Sequence, residues 1–386
     1  MPPIRLNRRR FLGCSAAAGI ALAQGKGVEG AAEGEGEGSP TPVRLGLIGL
    51  GNRGTTLLRT AMELPGAKVV AVCDGEEKHR RRAQGIAEKG QGVRPEGYDR
   101  MGPLLERTDI DAVLVALPCD LHASAYLAAI RAGKALYAEK PLAPTLAQCD
   151  AVIAEAEKSP HLPVHVGFQR RSHPRYREGV ELIHRGDLGT LVEGRASWIS
   201  SNGPVNGHGD WLARRGRSGD WMVEQAVHVW DLFRWITGEP PARAYGLGRR
   251  DVFTHLQPDR DVTDHYSVTL EWADGFHASF VQSWIDPADD AFTGNAQRIV
   301  GTAGGLDFAT GSATFRDKGR PRLALHPGIQ ADTRAALSAF LDAIRAEGPT
   351  PPPVGLAEAR DATLIGLLAR KAIDERRVVE IGEVTG

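Results

Sequence analysis

Three groups of side chains in this sequence have the types and spacing to do chemistry. The first is the run Gly49-Leu50-Gly51-Asn52-Arg53-Gly54, with Asp74 twenty residues beyond it. Such a run lets a backbone close on an anion: Gly49 for the tight turn, Gly51 for close approach to a pyrophosphate, Gly54 for packing of helix on strand. Asp74 would accept hydrogen bonds from ribose hydroxyls, and an acid there repels a 2′-phosphate, favouring NAD over NADP. The second is Lys140, in Glu139-Lys140-Pro141. The third is Glu224, His228 and Asp231, ionisable residues in an otherwise apolar stretch from Gly219 to Gly238. On one continuous helix they fall at i, i+4 and i+7 and share one face. Burying three such groups costs too much unless they are paired or line a wet cavity. They read as a proton-transfer site or as a self-satisfied buried pair; an imidazole that titrates near neutrality favours the former. Glu and His one turn apart could also share a metal ion, but no further ligand cluster completes a site, and none is expected.

The elements that must position these groups follow from periodicity. Val43 to Ile48 is a short apolar run leading into the glycine turn, a helix extends to Glu63, and Pro65-Gly66 stops it before a second strand, Lys68 to Cys73. Strands are expected at Ile110 to Leu117, Ala135 to Ala138 and Pro163 to Gly167. Helices are expected at Leu121 to Ala132 and at Leu146 to Lys158, the latter with Thr145 as N-cap. Repeated strand and helix units imply an α/β Rossmann domain with a parallel, doubly wound sheet, its ligands at the carboxyl ends of the strands. Lys140 follows directly on such an end.

After Gly167 the pattern changes to a helix from about His173 to Arg185 and alternating runs at Thr190 to Ile199, His265 to Trp272 and Gly275 to Trp284, with Ala273-Asp274-Gly275 as a hairpin turn. This predicts an α+β domain with a mainly antiparallel open sheet. Two amphipathic helices, Ala331 to Gly348 and Leu356 to Glu375, joined by a Pro-rich link, are followed by Arg377-Val378-Val379-Glu380-Ile381. The expected division is 42–168 for the nucleotide-binding domain and 169–386 for the substrate-binding domain.

The segments Val115 to His122 and Ala132 to Pro141, the second ending in Glu139-Lys140-Pro141, resemble the glucose-fructose oxidoreductase/inositol dehydrogenase family, also called Gfo/Idh/MocA. The resemblance covers nearly everything from Val43 onward. It implies that Leu117, Pro118, His122 and Glu139 join Asn52 and Arg53 around the cofactor, with the Lys140 ammonium beside nicotinamide and substrate hydroxyl. Glu224 to His228 is similar to the family's Asp-x-Gly-x-His motif, which implies His228 as acid/base with Glu224 as its partner, although Glu224 and Ala226 replace the usual aspartate and glycine. Gln169, Arg170, Arg171, Trp211 and Asp231 are candidates for substrate contact. The activity implied is hydride transfer between NAD(P) and a sugar or cyclitol hydroxyl or ketone. The rival is a redox-neutral glycosidase or epimerase that uses bound NAD transiently.

Composition bounds these readings. The chain has 386 residues, 42% hydrophobic and 25% charged, with formal net charge −1, values of a globular protein with a sizeable core. No basic stripe alternates with aromatics, so no nucleic-acid partner is expected. Paired arginines in Asn7 to Leu12, an apolar stretch from Cys14 to Ala23 and the small residues Ala21-Leu22-Ala23 read as a twin-arginine export signal over 1–23, too short for a stable membrane span. Residues 24–41 read as a flexible leader, and the mature protein is expected outside the cytoplasm as a homo-oligomer through its open sheet. Cys73, Cys119 and Cys149 lack metal or disulfide spacing and read as small core residues.

Overall fold

The structure is a computed structural model that describes residues 42–385 apart from 202, 206, 329–331 and 349. The expected export signal and leader lie outside the described residues.

Apolar runs buried on both faces are what a parallel sheet requires, and the first part of the chain supplies them. The strands are β1 (Val43–Ile48), β2 (Ala67–Cys73), β3 (Glu96–Tyr98), β4 (Ala112–Val115), β5 (Ala135–Ala138) and β6 (Val164–Val166). Between them run α1 (Asn52–Met62), α2 (Glu77–Gln91), α3 (Met101–Leu105), α4 (His122–Arg131) and α5 (Leu146–Ala156). The strands pair in the order β3-β2-β1-β4-β5-β6, all parallel. Alternation sends Val113, Val115, Leu136 and Ala138 into one core and Ala112, Leu114, Ala135 and Tyr137 into the other. Thr145 caps α5 as expected, its hydroxyl accepting from the Gln148 amide.

The second sheet has nine strands. It is introduced by α6 (Pro174–His184), and its strands are β7 (Leu191–Ile199), β8 (Arg243–Arg249), β9 (His265–Glu271), β10 (His277–Ser283), β11 (Gly294–Gly301), β12 (Gly304–Asp307), β13 (Ser312–Phe315), β14 (Leu323–Ala324) and β15 (Val379–Glu380). Their order is β14-β13-β12-β11-β7-β10-β9-β8-β15, antiparallel except for β7 beside β10. The hairpin at Ala273 to Gly275 joins β9 to β10, with Gly275 at φ +90° where an L side chain would be strained. Tyr266, Val268, Leu270, Ala278 and Phe280 face the core, while Tyr245 and Leu247 of β8 are exposed.

Between β7 and β8 lie three short helices, α7 (Arg215–Ser218), α8 (Trp221–Glu224) and α9 (Val227–Thr237). The chain ends with α10 (Asp332–Arg345) and α11 (Leu356–Glu375) ahead of β15. Helix α11 packs against α9 and β8. Helix α10 lays Ala336, Leu337, Phe340 and Leu341 into the core of the first sheet beside Tyr137. The end of the chain thus covers one face of the nucleotide-binding sheet, which a sequence boundary at 168/169 does not convey. Cys73, Cys119 and Cys149 are buried and free, as expected.

Candidate active site

The glycine turn is held by close approach. Gly49 has φ +86°, and a Cβ there would lie 2.3 Å from the Ala116 carbonyl oxygen; one on Gly54 would lie 1.9 Å from the Gly49 oxygen. A Cβ on Gly51 would meet nothing within 4 Å. Gly51 borders a cavity of about 460 Å³ at the carboxyl ends of β1, β2, β4 and β5. Two glycines are therefore fixed by the fold, while the third keeps open the space into which the α1 N-terminus points. That arrangement fits a dinucleotide pyrophosphate.

Asn52, Arg53, Asp74, Leu117, Pro118, His122, Glu139 and Lys140 line the same cavity, as the sequence implied, and Gly54 is buried under the turn. Asp74 Oδ2 accepts from the Leu50 amide at 2.7 Å, and its Oδ1 accepts from the Glu76 amide at 2.9 Å. The carboxylate is thus oriented by backbone before any ribose arrives. Arg80 donates to the Asp74 and Gly75 carbonyls instead of facing the cavity. Arg53 reaches Glu139 at 2.7 Å, and Thr333 at the start of α10 accepts from it. His122 is buried with Nδ1 2.7 Å from the Pro141 oxygen and Nε2 2.8 Å from the Leu117 oxygen. Burial lowers its pKa while the two carbonyls oppose that, and the ring staples the β4 end to the Lys140 loop.

A strap from the second half of the chain, 207–213, reaches this cavity. Gly207, His208, Trp211 and Leu212 line it, His208 Nε2 lies 3.3 Å from Glu76, and the His208 ring stands edge-on to His79. Arg217 joins Asp120 across the same edge at 3.0 Å. Trp211, expected at the substrate, is therefore part of the cavity wall that also holds the cofactor fingerprint. Glu76 and Asp120 were not singled out from sequence, since a lone acid just ahead of a helix carries no signal until the strap and Arg217 meet it.

The apolar stretch 219–238 is not one helix. Asp220, fully buried at φ +74°, accepts from the Trp221 amide, the Thr263 amide and hydroxyl, and the Arg215 guanidinium, which fixes the start of α8. At its end the Ala226 amide donates five residues back to Trp221, and the Trp230 indole donates to the Met222 carbonyl. The turn is widened at Gln225 and Ala226, so the expected single stripe is broken.

The consequence is that Glu224 does not partner His228. Lys140 Nζ donates to Glu224 Oε1 and to the Glu224 carbonyl, both at 2.7 Å. Burial works to lower the Lys140 pKa, but the Glu224 carboxylate, with Cys119 and Glu139 acting in the same direction, turns the net shift upward, so the ammonium stays charged. Asp231 is a further correction. It forms a buried bidentate pair with Arg171, whose nearest approach is 2.8 Å, with side chains only 2% and 4% exposed. Burial raises the Asp231 pKa against the pull of Arg171. Neither residue lines the cavity; together they tie the segment before α6 to α9, and Arg171 also meets Glu358 of α11. Both leave the list of substrate contacts.

His228 is buried, packed edge-on against Phe168 and tilted over Trp198. Its Nδ1 has no hydrogen-bond partner among the described residues. Burial, then Lys140, Arg170 and Arg53, push its pKa well below the usual histidine value, so the ring is neutral. It is not among the residues that line the dinucleotide cavity, although the charge of Lys140 on that wall acts on it. Arg170 donates to the His228 carbonyl at 3.2 Å, and the buried Oε1 of the preceding Gln169 has no partner among the described residues. Among the described residues no group of three His, Cys, Asp or Glu could hold a metal.

Two family models match in succession: the oxidoreductase family, NAD-binding Rossmann fold, over residues 43–168, and the GFO/IDH/MocA C-terminal domain over 176–307. The chain belongs to the Gfo/Idh/MocA oxidoreductase family. Its first domain is the family's NAD-binding domain. The chain is 27% identical over 358 residues to myo-inositol 2-dehydrogenase of Thermotoga maritima, covering 89% of this chain and all of that one. It is 35% identical over 222 residues to inositol 2-dehydrogenase 3 of Saccharopolyspora erythraea, 56% of this chain and 60% of the relative. The scyllo-inositol dehydrogenase of Lactobacillus casei, solved with NAD(H) and scyllo-inositol, superposes with TM-score 0.72 at 19% identity over 89% of this chain and all of that one. It has the same fold.

Proposed function

We propose that this chain is an NAD-dependent dehydrogenase of a sugar or cyclitol, oxidising a secondary alcohol to a ketone or the reverse. The observation that carries it is a neutral His228, its Nδ1 without a partner among the described residues and under the charge of Lys140, at the carboxyl edge of a sheet with a dinucleotide cradle. A bound nicotinamide supplies the hydride acceptor or donor. His228 takes the hydroxyl proton, and Lys140, held by Glu224, stabilises the oxygen as negative charge develops on it. The inositol dehydrogenase names of the relatives support a polyol substrate. Asp74, aimed by two backbone amides, supports NAD over NADP.

The N-terminal arginine and apolar pattern supports export by the twin-arginine route, with the nucleotide loaded before transport. The strap over the cavity supports tight retention, since a dissociating cofactor would find no soluble pool outside the cytoplasm. Saturation at a thousandfold over the dissociation constant would stabilise the fold by about 4 kcal/mol. The exposed Tyr245 and Leu247 on β8 support pairing of the open sheet with a second copy.

The test is to purify the mature protein without added nucleotide, measure NAD per chain, and follow nicotinamide absorbance over a polyol panel. Bound NAD near one per chain with reduction by a cyclitol or sugar is expected. Product formation without net reduction would instead assign the redox-neutral route, and an empty pocket with rapid exchange would remove the retention argument.

A further inference from the structure

Four cationic side chains gather where the two sheets meet, and three have carboxylate partners. Arg53 has Glu139, Lys140 has Glu224, and Arg171 has Asp231. Arg170 has no carboxylate within ion-pair distance among the described residues. It is nevertheless held in place. Its guanidinium carbon lies 5.6 Å from the Tyr176 ring centroid and 5.5 Å from that of Trp198. One nitrogen donates to the His228 carbonyl, and Tyr176 is itself fixed by donating to Gln297 Oε1 at 2.6 Å. A guanidinium locked by two aromatic rings and one carbonyl has most of its five donors left over, in the planar fork that matches an oxyanion. Long charged side chains are normally left mobile at the surface; this one is half-buried and immobilised beside the proton-transfer residue.

Resting on the dehydrogenase reading above, we infer that the substrate is anionic, a sugar or polyol acid whose oxyanion binds Arg170 while a neighbouring hydroxyl meets His228. Trp198, which lies against both the Arg170 and His228 side chains, offers an apolar platform for the carbon skeleton between them. A neutral inositol ring would leave the fork facing hydroxyls alone, the weaker use of a fixed charge.

The experiment uses the NAD-loaded full chain. Binding is read first, as the thermal shift produced by D-glucuronate, D-galacturonate and D-gluconate against D-glucose, D-galactose and myo-inositol, with glucose 6-phosphate to separate carboxylate from phosphate. Turnover is then read as nicotinamide reduction. At least one acid should exceed its neutral counterpart in kcat/KM by about tenfold or more, the size of one charge-assisted contact. Arg170→Gln should remove that preference chiefly through KM, with Arg170→Lys restoring part of it. Equal shifts and equal kcat/KM for acids and neutral polyols, or a preference that survives Arg170→Gln in a folded variant, would overturn the proposal. Acid binding that depends on Arg170 without any nicotinamide reduction would uphold the anion site and count against the dehydrogenase reading.

Discussion

Glu224 and Asp231 lie seven residues apart, and each holds a cation from an element near the end of the first sheet, yet the two pairs do opposite things. Lys140–Glu224 sits on the cavity wall, each side chain 15% exposed, with the ammonium also on a backbone carbonyl. Arg171–Asp231 is closed off from solvent and joined to a third element through Glu358. A desolvated pair contributes little net stability but is costly to break, because the survivor remains buried and charged. A pair at a cavity wall can lose a partner to water or ligand. The same chemistry is therefore structural in one place and available for work in the other.

The largest effect should come from the buried pair. Asp231→Ala leaves Arg171 without its bidentate partner and should destabilise the fold by about 3–5 kcal/mol, seen as a lower denaturation midpoint with NAD bound. A change under about 1 kcal/mol, the range of an exposed pair, would show that Arg171–Asp231 does not hold the fold.

The cavity pair and its neighbour should behave in the reverse way. Lys140→Met should lower kcat about 10²- to 10³-fold, the range for losing one oxyanion-stabilising donor. His228→Ala should cost about 10²- to 10⁴-fold, as for removal of a general base. Both should keep the thermal midpoint and bound NAD near wild type. If His228→Ala unfolds the chain at full specific activity per folded molecule, the histidine belongs with Arg171 and Asp231 instead. At the cofactor, Asp74→Ala should weaken NAD more than NADP, measured as the ratio of the two dissociation constants; an unchanged ratio removes Asp74 from nucleotide choice.

The smallest effect concerns acid. His165, buried against Phe340 with its Nε2 unpartnered among the described residues, has its pKa pushed down to about 4 by burial. Above about pH 6.5 the ring is neutral in folded and unfolded chains, so it contributes no pH dependence. As the pH falls from there towards 4, the unfolded chain takes the proton first and stability is lost. His165→Leu should flatten the fall in unfolding free energy between pH 6.5 and 4, by up to about 3 kcal/mol. An identical pH profile would show that other groups carry the acid sensitivity. His228, lowered in the same direction by burial and by neighbouring cations, likewise costs stability as the pH falls below about 6.5.

The sequence by itself determined the local devices. A glycine turn between apolar strand and helix, an acid at the end of β2, a lysine at the end of β5 and the period change after Gly167 depend on a few adjacent residues, and all appear where they were read. Thr145 and the hairpin at Gly275 are of the same kind. Tertiary structure decided the partners. Whether Glu224 faces His228 depends on one residue of extra backbone at Gln225 and Ala226, held open by Trp230 and by a buried Asp220 whose donors come from Arg215 and Thr263. Whether Asp231 meets substrate or Arg171 depends on how the segment before α6 crosses α9. That α10 belongs to the core of the first sheet, and that a strap brings His208 to Glu76, are contacts across more than a hundred residues. Periodicity fixes which face of an element is apolar; it carries no information on which distant face will meet it, because that choice is made by the packing of the whole chain.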